Sequence, residues 1–337
     1  MKIAVENSTW NNIGDAFYQT ALQTMLSKAL PGDEVFSFDG PIARAFRPRM
    51  FERNTFDARA NVEADHFVFS GPILGASFAD QYGPLIRAIV ESGRSYSLLS
   101  VHAYSQGEEL ALLREFLKAY PPKALETRDQ TTFAKLEGAA PRQKNGICFA
   151  FFVRYIDGIP SFDPERKYVC FSFHNSREPQ IRAANPGADF FDAQFDVGAE
   201  QRSLIPWKLS RHFDFAADYP TTLNGRTIVR PVHSFYPLPH LIFSRKNSYI
   251  SYNPKNFLSI YKGCEGVVTD RVHAGVAALS FGKPALVTRL DGRYALFERA
   301  PLERKGDVVR LDPAALDAIY ADHMTWLRTD FHDAIHG

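Results

Sequence analysis

The 337-residue chain is short of several things that would mark out a special class. It has three cysteines, Cys148, Cys170 and Cys264, an odd number with no Cys-x-x-Cys pair. That excludes a disulfide framework or a zinc ribbon and leaves free, buried thiols in a reducing compartment. It has no excess of either charge: Lys+Arg total 39 against Asp+Glu 38, a net charge of +1. Nucleic-acid binders usually carry a strongly basic face, and anionic membranes attract basic segments, so neither partner is expected beyond peripheral membrane contact through a local patch. No apolar run approaches the ~20 residues that span a bilayer. The first residues, Met1 to Glu6, turn polar at once, unlike a signal peptide. A soluble, cytoplasmic protein is expected, at most touching the inner face of the membrane.

Metal motifs are missing too: there is no Asp-x-Asp, no His-Glu-x-x-His and no Walker loop. His332 and His336 have i,i+4 spacing, but at a chain end that frays, so no metal is expected there. What remains is an ordinary globular mix, 45% hydrophobic and 23% charged, long enough for two domains with a core rich in its 28 phenylalanines.

The first 140 residues alternate short apolar runs with helix-length amphipathic ones. Ile3 to Glu6, Val35 to Phe38, Phe67 to Ser70 and Tyr96 to Val101 read as strands. From Asp15 to Leu30 two adjacent rows, Phe17/Ala21/Met25/Ala29 and Tyr18/Leu22/Leu26/Leu30, make an apolar helix face that Pro31-Gly32 terminates. A second helix spans about Glu108 to Tyr120. Strands separated by single helices predict βαβ units and a parallel sheet. Gly138 to Asn145 reads as an interdomain linker. Gly146 to Val153, almost wholly apolar, reads as a central strand buried on both faces, and Tyr168 to Phe173 as another. Phe190 to Pro239 lacks clear periodicity and reads as irregular or inserted. Helices near Pro254 to Lys262 and Arg271 to Phe281, and strands at Gly266 to Thr269, Ala285 to Thr288 and Val308 to Leu311, lead into a last helix from Pro313 to about Leu327. The expected fold class is α/β, with two Rossmann-type domains whose parallel sheets face a central cleft. The divisions are residues 1–140, 141–312, and a C-terminal helix, 313–337, that packs back on the first domain.

The sharpest segment is Val267-Val268-Thr269-Asp270-Arg271-Val272-His273-Ala274-Gly275, followed by Gly282-Lys283-Pro284. It reads as strand, cap, helix and stop. Thr269 or Asp270 suits the N-cap, which places Arg271 and His273 in the first helical turn at the carboxyl end of a parallel strand. Free backbone N–H groups, the helix dipole and the arginine would favour an anion there. A capped structural helix with a surface arginine fits the same residues.

This Thr-x-Arg-x-His segment, with Ala after the His and Gly-x-Pro before the next strand, resembles the hallmark of the polysaccharide pyruvyl transferase family. Asn12-Ile13-Gly14-Asp15 resembles the family's N-terminal Asn-x-Gly-Asp turn. Asp65 to Leu74 resembles its strand ending in a Gly-rich loop, with Pro72 where a second Gly is usual. Glu126-Thr127-Arg128-Asp129-Gln130-Thr131 resembles the Arg-Asp/Glu segment closing the first domain. The likeness covers nearly the whole chain except about Phe190 to Pro239.

The resemblance implies a GT-B-like fold and transfer of the enolpyruvyl unit of phosphoenolpyruvate onto two sugar hydroxyls. The product is a cyclic ketal on a cell-surface glycan or its lipid-linked precursor, and phosphate is released. It implies no cofactor or metal, with phosphoenolpyruvate as donor substrate. Protonating the donor methylene and deprotonating a hydroxyl suit a histidine, so His273 is the expected acid/base. The donor's clustered negative charge calls for fixed cations: Arg271, then Arg154, read as the end of the second domain's first strand, then Arg293, where the family commonly has Lys. Asn12, Gly14, Asp15, Gly71 and His174 are expected to bind substrate, although capping and turn formation alone would explain the first three. A metal-independent GT-B glycosyltransferase using a nucleotide sugar stays open as an alternative, since fold does not dictate chemistry. So does a non-enzymatic glycan-binding protein, which would use the aromatic residues but gives no reason for a helix start bearing both Arg and His.

Overall fold

The computed structural model describes residues 1–7, 12–40, 58–76, 78–162, 165–174, 176–185, 187–200, 219–233, 245–288 and 292–337, with the backbone alone at 200 and 292–294. The first sheet contains six strands: β1 (Lys2–Asn7), β2 (Glu34–Asp39), β3 (His66–Leu74), β4 (Ser95–Ala103), β5 (Ala124–Thr127) and β6 (Arg142–Asn145). They run in the order β2-β1-β3-β4-β5-β6, all parallel. Side chains alternate across this sheet, as a pleat requires. Ile3, Val5, Val68 and Leu99 join the core containing α1 (Ile13–Ala29). Ala4, Phe67, Phe69 and Leu98 join a core with α2 (Phe78–Glu91) and α3 (Gly107–Ala119). Both apolar rows read from the sequence of α1 are buried.

The second sheet is built on β7 (Tyr168–Ser172), β11 (Arg226–Pro231), β13 (Val267–Thr269) and β14 (Ala285–Val287), which pair in parallel. Antiparallel β16 (Val308–Leu311) and β15 (Leu302–Lys305) extend one side; β10 (Thr222–Leu223), and β12 (Ser248–Tyr249) pairing parallel, extend the other. A separate hairpin joins β8 (Pro179–Ala183) to β9 (Phe195–Glu200). In sequence order α4 (Gln130–Lys135) follows β5, α5 (Pro254–Gly263) precedes β13, and α6 (Val272–Ser280) follows it.

Three expectations are corrected. The Gly138 to Asn145 stretch is no linker, because Arg142–Asn145 is β6, pairing with β5 at the edge of the first sheet. The apolar run from Gly146 to Val153 is no strand: Phe149–Tyr155 forms a 3₁₀ helix packed against α1 and α6. A run buried on all sides has no period to separate the two structures. Within Phe190 to Pro239, β11 lies beside β7 in the sheet. Its arginines disguised it: Arg230 is buried because Glu178 pairs with it through Nε at 2.8 Å and Nη2 at 2.7 Å.

After β16, α7 (Pro313–Trp326), a π turn (Leu327–Phe331) and α8 (His332–His336) return to the first domain. His323 Nε2 lies 2.8 Å from Glu126 Oε1, Lys144 bonds Asp322 at 2.6 Å, and the Phe331 ring meets the His66 ring at 5.9 Å. His336 lies on Asp33 at 3.0 Å, and among the described residues no group of three His, Cys, Asp or Glu side chains could hold a metal ion. No described helix is long and apolar enough to cross a membrane.

Two histidines are buried as neutral rings. Burial, then the nearby charges of Lys123 and His336, pushes His66 down to about 3. Burial, then Arg271, His273 and His174, holds His233 well below the ordinary imidazole range. Both groups gain protons more readily when unfolded. Their contribution is therefore complete above the unfolded pKa of about 6.5 and is lost as pH falls below it. In urea unfolding at stepped pH, stability should drop by up to about 1.4 kcal/mol per pH unit for each histidine in that acid window. His66→Gln should shallow the slope, and a flat wild-type profile would contradict the assignment.

Candidate functional site

The Thr269 hydroxyl sets the local geometry. It donates to the Ser172 carbonyl at 2.6 Å and accepts from the Arg271 N–H at 2.8 Å, locking the turn between β13 and α6 to the end of β7. Arg271 itself, not Thr269 or Asp270, is the N-cap residue of α6, and it makes no side-chain cap bond. Asp270 is used elsewhere. Its carboxylate accepts from the N–H groups of His174 (2.9 Å) and Ser176 (2.7 Å) and from the Ser176 hydroxyl, holding the loop after β7. His273 therefore sits in the first turn of α6, its side chain 14% exposed.

The start of α1 meets it from the other domain. Asn12 caps α1, its Oδ1 accepting from Gly14 N–H at 3.4 Å and also from Arg271 Nη1 at 3.1 Å, across 259 residues of sequence. The Ile13 N–H donates to the His233 carbonyl at 2.7 Å. A side chain at Gly14 would be crowded: a Cβ would stand 3.2 Å from His273 Cβ and 3.3 Å from His233 Nδ1. Asp15 Oδ1 lies 3.7 Å from His273 Nδ1, Cys148 Sγ lies 4.0 Å from Nε2, and the Tyr18 ring is 5.3 Å from the imidazole. The N-termini of two helices thus converge on one place, and their aligned N–H groups favour negative charge. Burial, then the Asp15 carboxylate, raises the Tyr18 phenol well above its ordinary range, so that hydroxyl stays protonated.

Of the residues expected from sequence, Asn12, Gly14, Asp15, Arg271 and His273 are brought together. His174 borders them through the Asp270 clamp and its charge influence on His233. Gly71 reaches the group indirectly: its φ is +92°, and a Cβ there would lie 2.3 Å from the Tyr18 hydroxyl. Arg154 is not placed with them. It lies in the 3₁₀ helix rather than at a strand end, with its guanidinium 3.8 Å from Asp317 and over the Tyr155 ring. Arg293 falls in a short 3₁₀ turn, Gly292–Phe297, and its side chain lies outside the described ones.

His233 was missed. It is 1% exposed, shares a 2.5 Å hydrogen bond with the Tyr261 hydroxyl, and abuts the start of α1. The one signal was its place just after the Thr-Ile-Val run of β11, at the carboxyl end of a parallel strand.

A family model described as polysaccharide pyruvyl transferase matches residues 12–291, from the N-cap of α1 through α6 and beyond. The chain belongs to the polysaccharide pyruvyl transferase family. No curated protein sequence matches it. Among solved structures it resembles a putative UDP-N-acetylglucosamine 2-epimerase from Listeria monocytogenes at 11% identity and a TM-score of 0.50, covering 99% of this chain and 90% of that one. A second UDP-N-acetylglucosamine 2-epimerase gives 12% identity and a TM-score of 0.50, covering 99% and 89%. At such identity the likeness concerns architecture: the fold is α/β and GT-B-like, and this pyruvyl transferase family member carries its own side chains in the cleft.

The close approach of Tyr18 makes Gly71 a sensitive position. Gly71→Ala should destabilise the protein by about 1–3 kcal/mol, because the new methyl must displace a packed phenol at a left-handed backbone. Denaturant midpoints would measure this, and an unchanged midpoint would mean that the strand end yields freely.

Proposed function

We propose that this protein transfers the enolpyruvyl unit of phosphoenolpyruvate onto two hydroxyls of a glycan or lipid-linked glycan, forming a cyclic pyruvate ketal and releasing phosphate. The observation that carries the proposal is the convergence of Asn12, Asp15, Arg271 and His273 from both domains, within the span that matches the family. The donor bears a carboxylate and a phosphate, so it suits two helix N-termini and a guanidinium. Arg271, held by Asn12, faces that charge, and the small residues of α6 let its N-terminus come close.

In the proposed reaction one acceptor hydroxyl adds to C2 of the donor while the methylene carbon takes a proton from His273. The C2–O bond to phosphate then breaks, and the second hydroxyl adds at C2. Of the two hydroxyl protons, one ends on the new methyl group and the other on phosphate or solvent, so atoms balance. His273 suits both proton movements, since imidazole exchanges protons near neutral pH. Asp15 beside Nδ1 orients the ring and offers a carboxylate to the imidazolium that forms, as a carboxylate does for histidine in other acid/base pairs. Asn12 positions Arg271, and Gly14 gives the two helix starts room to meet. The second domain, with Arg271 and His273, would form the donor side, and the first the acceptor side.

His273→Ala should reduce turnover by at least about a hundredfold while donor affinity changes little, because its role is proton transfer. Single-turnover phosphate release and a donor binding isotherm separate the two effects, and normal turnover at saturation would refute the role. Arg271→Ala should weaken donor affinity by about 1.5 kcal/mol or more, the scale of a charge-assisted hydrogen bond. Thermal-shift titration with phosphoenolpyruvate beside nucleotide sugars tests the donor itself. A ligand at 100 times its dissociation constant adds about 2.7 kcal/mol. Stabilisation by a nucleotide sugar alone would sink the reading.

A further inference from the structure

His102, near the carboxyl end of β4, has its imidazole held by a carboxylate. Nδ1 lies 2.7 Å from Asp129 Oδ2, and the Thr132 N–H and hydroxyl donate to the same carboxylate at 2.7 and 3.0 Å. Burial raises the Asp129 carboxyl, but the bonds from His102 and Thr132 outweigh it and hold the group below the ordinary range, so it is ionised. A carboxylate on Nδ1 keeps the proton of a neutral imidazole there and leaves a lone pair on Nε2. That nitrogen meets no hydrogen-bond partner among the described residues, and unlike Nε2 of His66 it is not sealed from solvent. Beside it the Tyr104 ring stands edge-on at 4.5 Å, 46% exposed. The backbone beneath both is fixed. Ala103 N–H donates to the Thr132 hydroxyl at 3.1 Å, Tyr104 N–H to the Leu74 carbonyl at 2.9 Å, and Lys135 Nζ to the Ala103 carbonyl at 3.1 Å. The group stands at the carboxyl edge of the first sheet, where open α/β sheets take their ligands. Val101 pairs with Gly71, which meets Tyr18, and Arg128, preceding Asp129, bonds the Cys148 thiol that flanks His273.

We propose that His102 and Tyr104 form a subsite for an uncharged sugar. The Tyr104 ring lies against a pyranose face, and His102 Nε2 accepts a hydrogen bond from a sugar hydroxyl. The chemistry selects this ligand. A lone pair on a neutral ring needs an O–H or N–H donor, which a carboxylate or fully ionised phosphate lacks and a sugar offers several times over. An exposed aromatic ring beside one fixed polar group suits a molecule with an apolar C–H face and a polar rim. The held backbone means that the subsite is formed before the sugar arrives, which lowers the ordering cost of binding. That a sugar binds here rests on these two side chains; that it is the acceptor rests on the reaction proposed above.

The test uses the full chain with isotope-labelled histidine, read by nitrogen NMR at mildly alkaline pH. The probes are the methyl pyranosides of glucose, galactose and mannose and their N-acetylated 2-amino counterparts, with inorganic phosphate as the control. His102 should show a protonated Nδ1 and a bare Nε2, and at least one pyranoside should move the Nε2 resonance while phosphate does not. His102→Phe and Tyr104→Ala should each weaken the best probe by about fivefold or more. Tyr104→Phe keeps the ring and should bind as wild type. Asp129→Asn still caps α4 but frees the imidazole to carry its proton on Nε2, so it should weaken the same probe with His102 in place. An Nε2 resonance that no pyranoside moves up to hundreds of millimolar, or unchanged affinity in both His102→Phe and Tyr104→Ala, would overturn the proposal. If a pyranoside binds here but none promotes phosphate release from phosphoenolpyruvate, the transfer reading fails and the sugar subsite stands. If release is promoted equally in wild type and both variants, the subsite falls and the transfer reading stands.

Discussion

The cleft depends on the burial of one segment. Cys148 to Val153 is fully buried, and it packs against α1 of the first domain and α6 of the second. Its three phenylalanines are each worth about 1.5–3 kcal/mol of burial, and their rings meet Phe297, Tyr320 and His323. Because the segment is helical rather than extended, it holds two helices by their sides instead of joining a sheet. The Arg154 N–H at its end donates to Ser280 at the end of α6, and the Phe149 N–H at its start donates to Ser100 in β4. The apolar core built around it runs through both domains. It sets the separation at which Gly14 meets His273.

That separation decides the electrostatics. Two helix N-termini, Arg271, Arg128 and three histidines lie near one another, while Asp15 and Asp270 supply the nearby carboxylates. Positive charge crowded into a half-buried space favours folding poorly and binding well. The neutral state of His233 is one consequence, since burial and its cationic neighbours both act against protonation.

Two buried arginines outside the cleft are paired. Glu178 holds Arg230 through two hydrogen bonds, and Glu6 takes Arg59 and the Tyr82 hydroxyl. The C-terminal helices close the back of the first domain, where Glu126 and His323 approach so tightly that a Cβ at Gly146 would lie 2.1 Å from Glu126 Oε1.

The sequence by itself determined the elements whose periodicity faces one way. Helix α1 with its two apolar rows, the first four strands of the first sheet, and the strand–turn–helix around Thr269 are legible because local pattern and burial agree there. Asn12, Gly14, Asp15, Arg271 and His273 were legible too, as a family resemblance in two segments far apart in the chain. Only the tertiary structure decided what lies between them. Periodicity vanishes when a segment is buried on every side, so the run at 146–153 carries no sign of a 3₁₀ helix, and Arg154 lies within that helix and not at a strand end. Pairing over long separations is equally invisible: the arginines of β11 read as surface until Glu178 is seen beside Arg230. His233 belongs to the same class. Its importance lies in who its neighbours are, and a linear sequence does not carry that information.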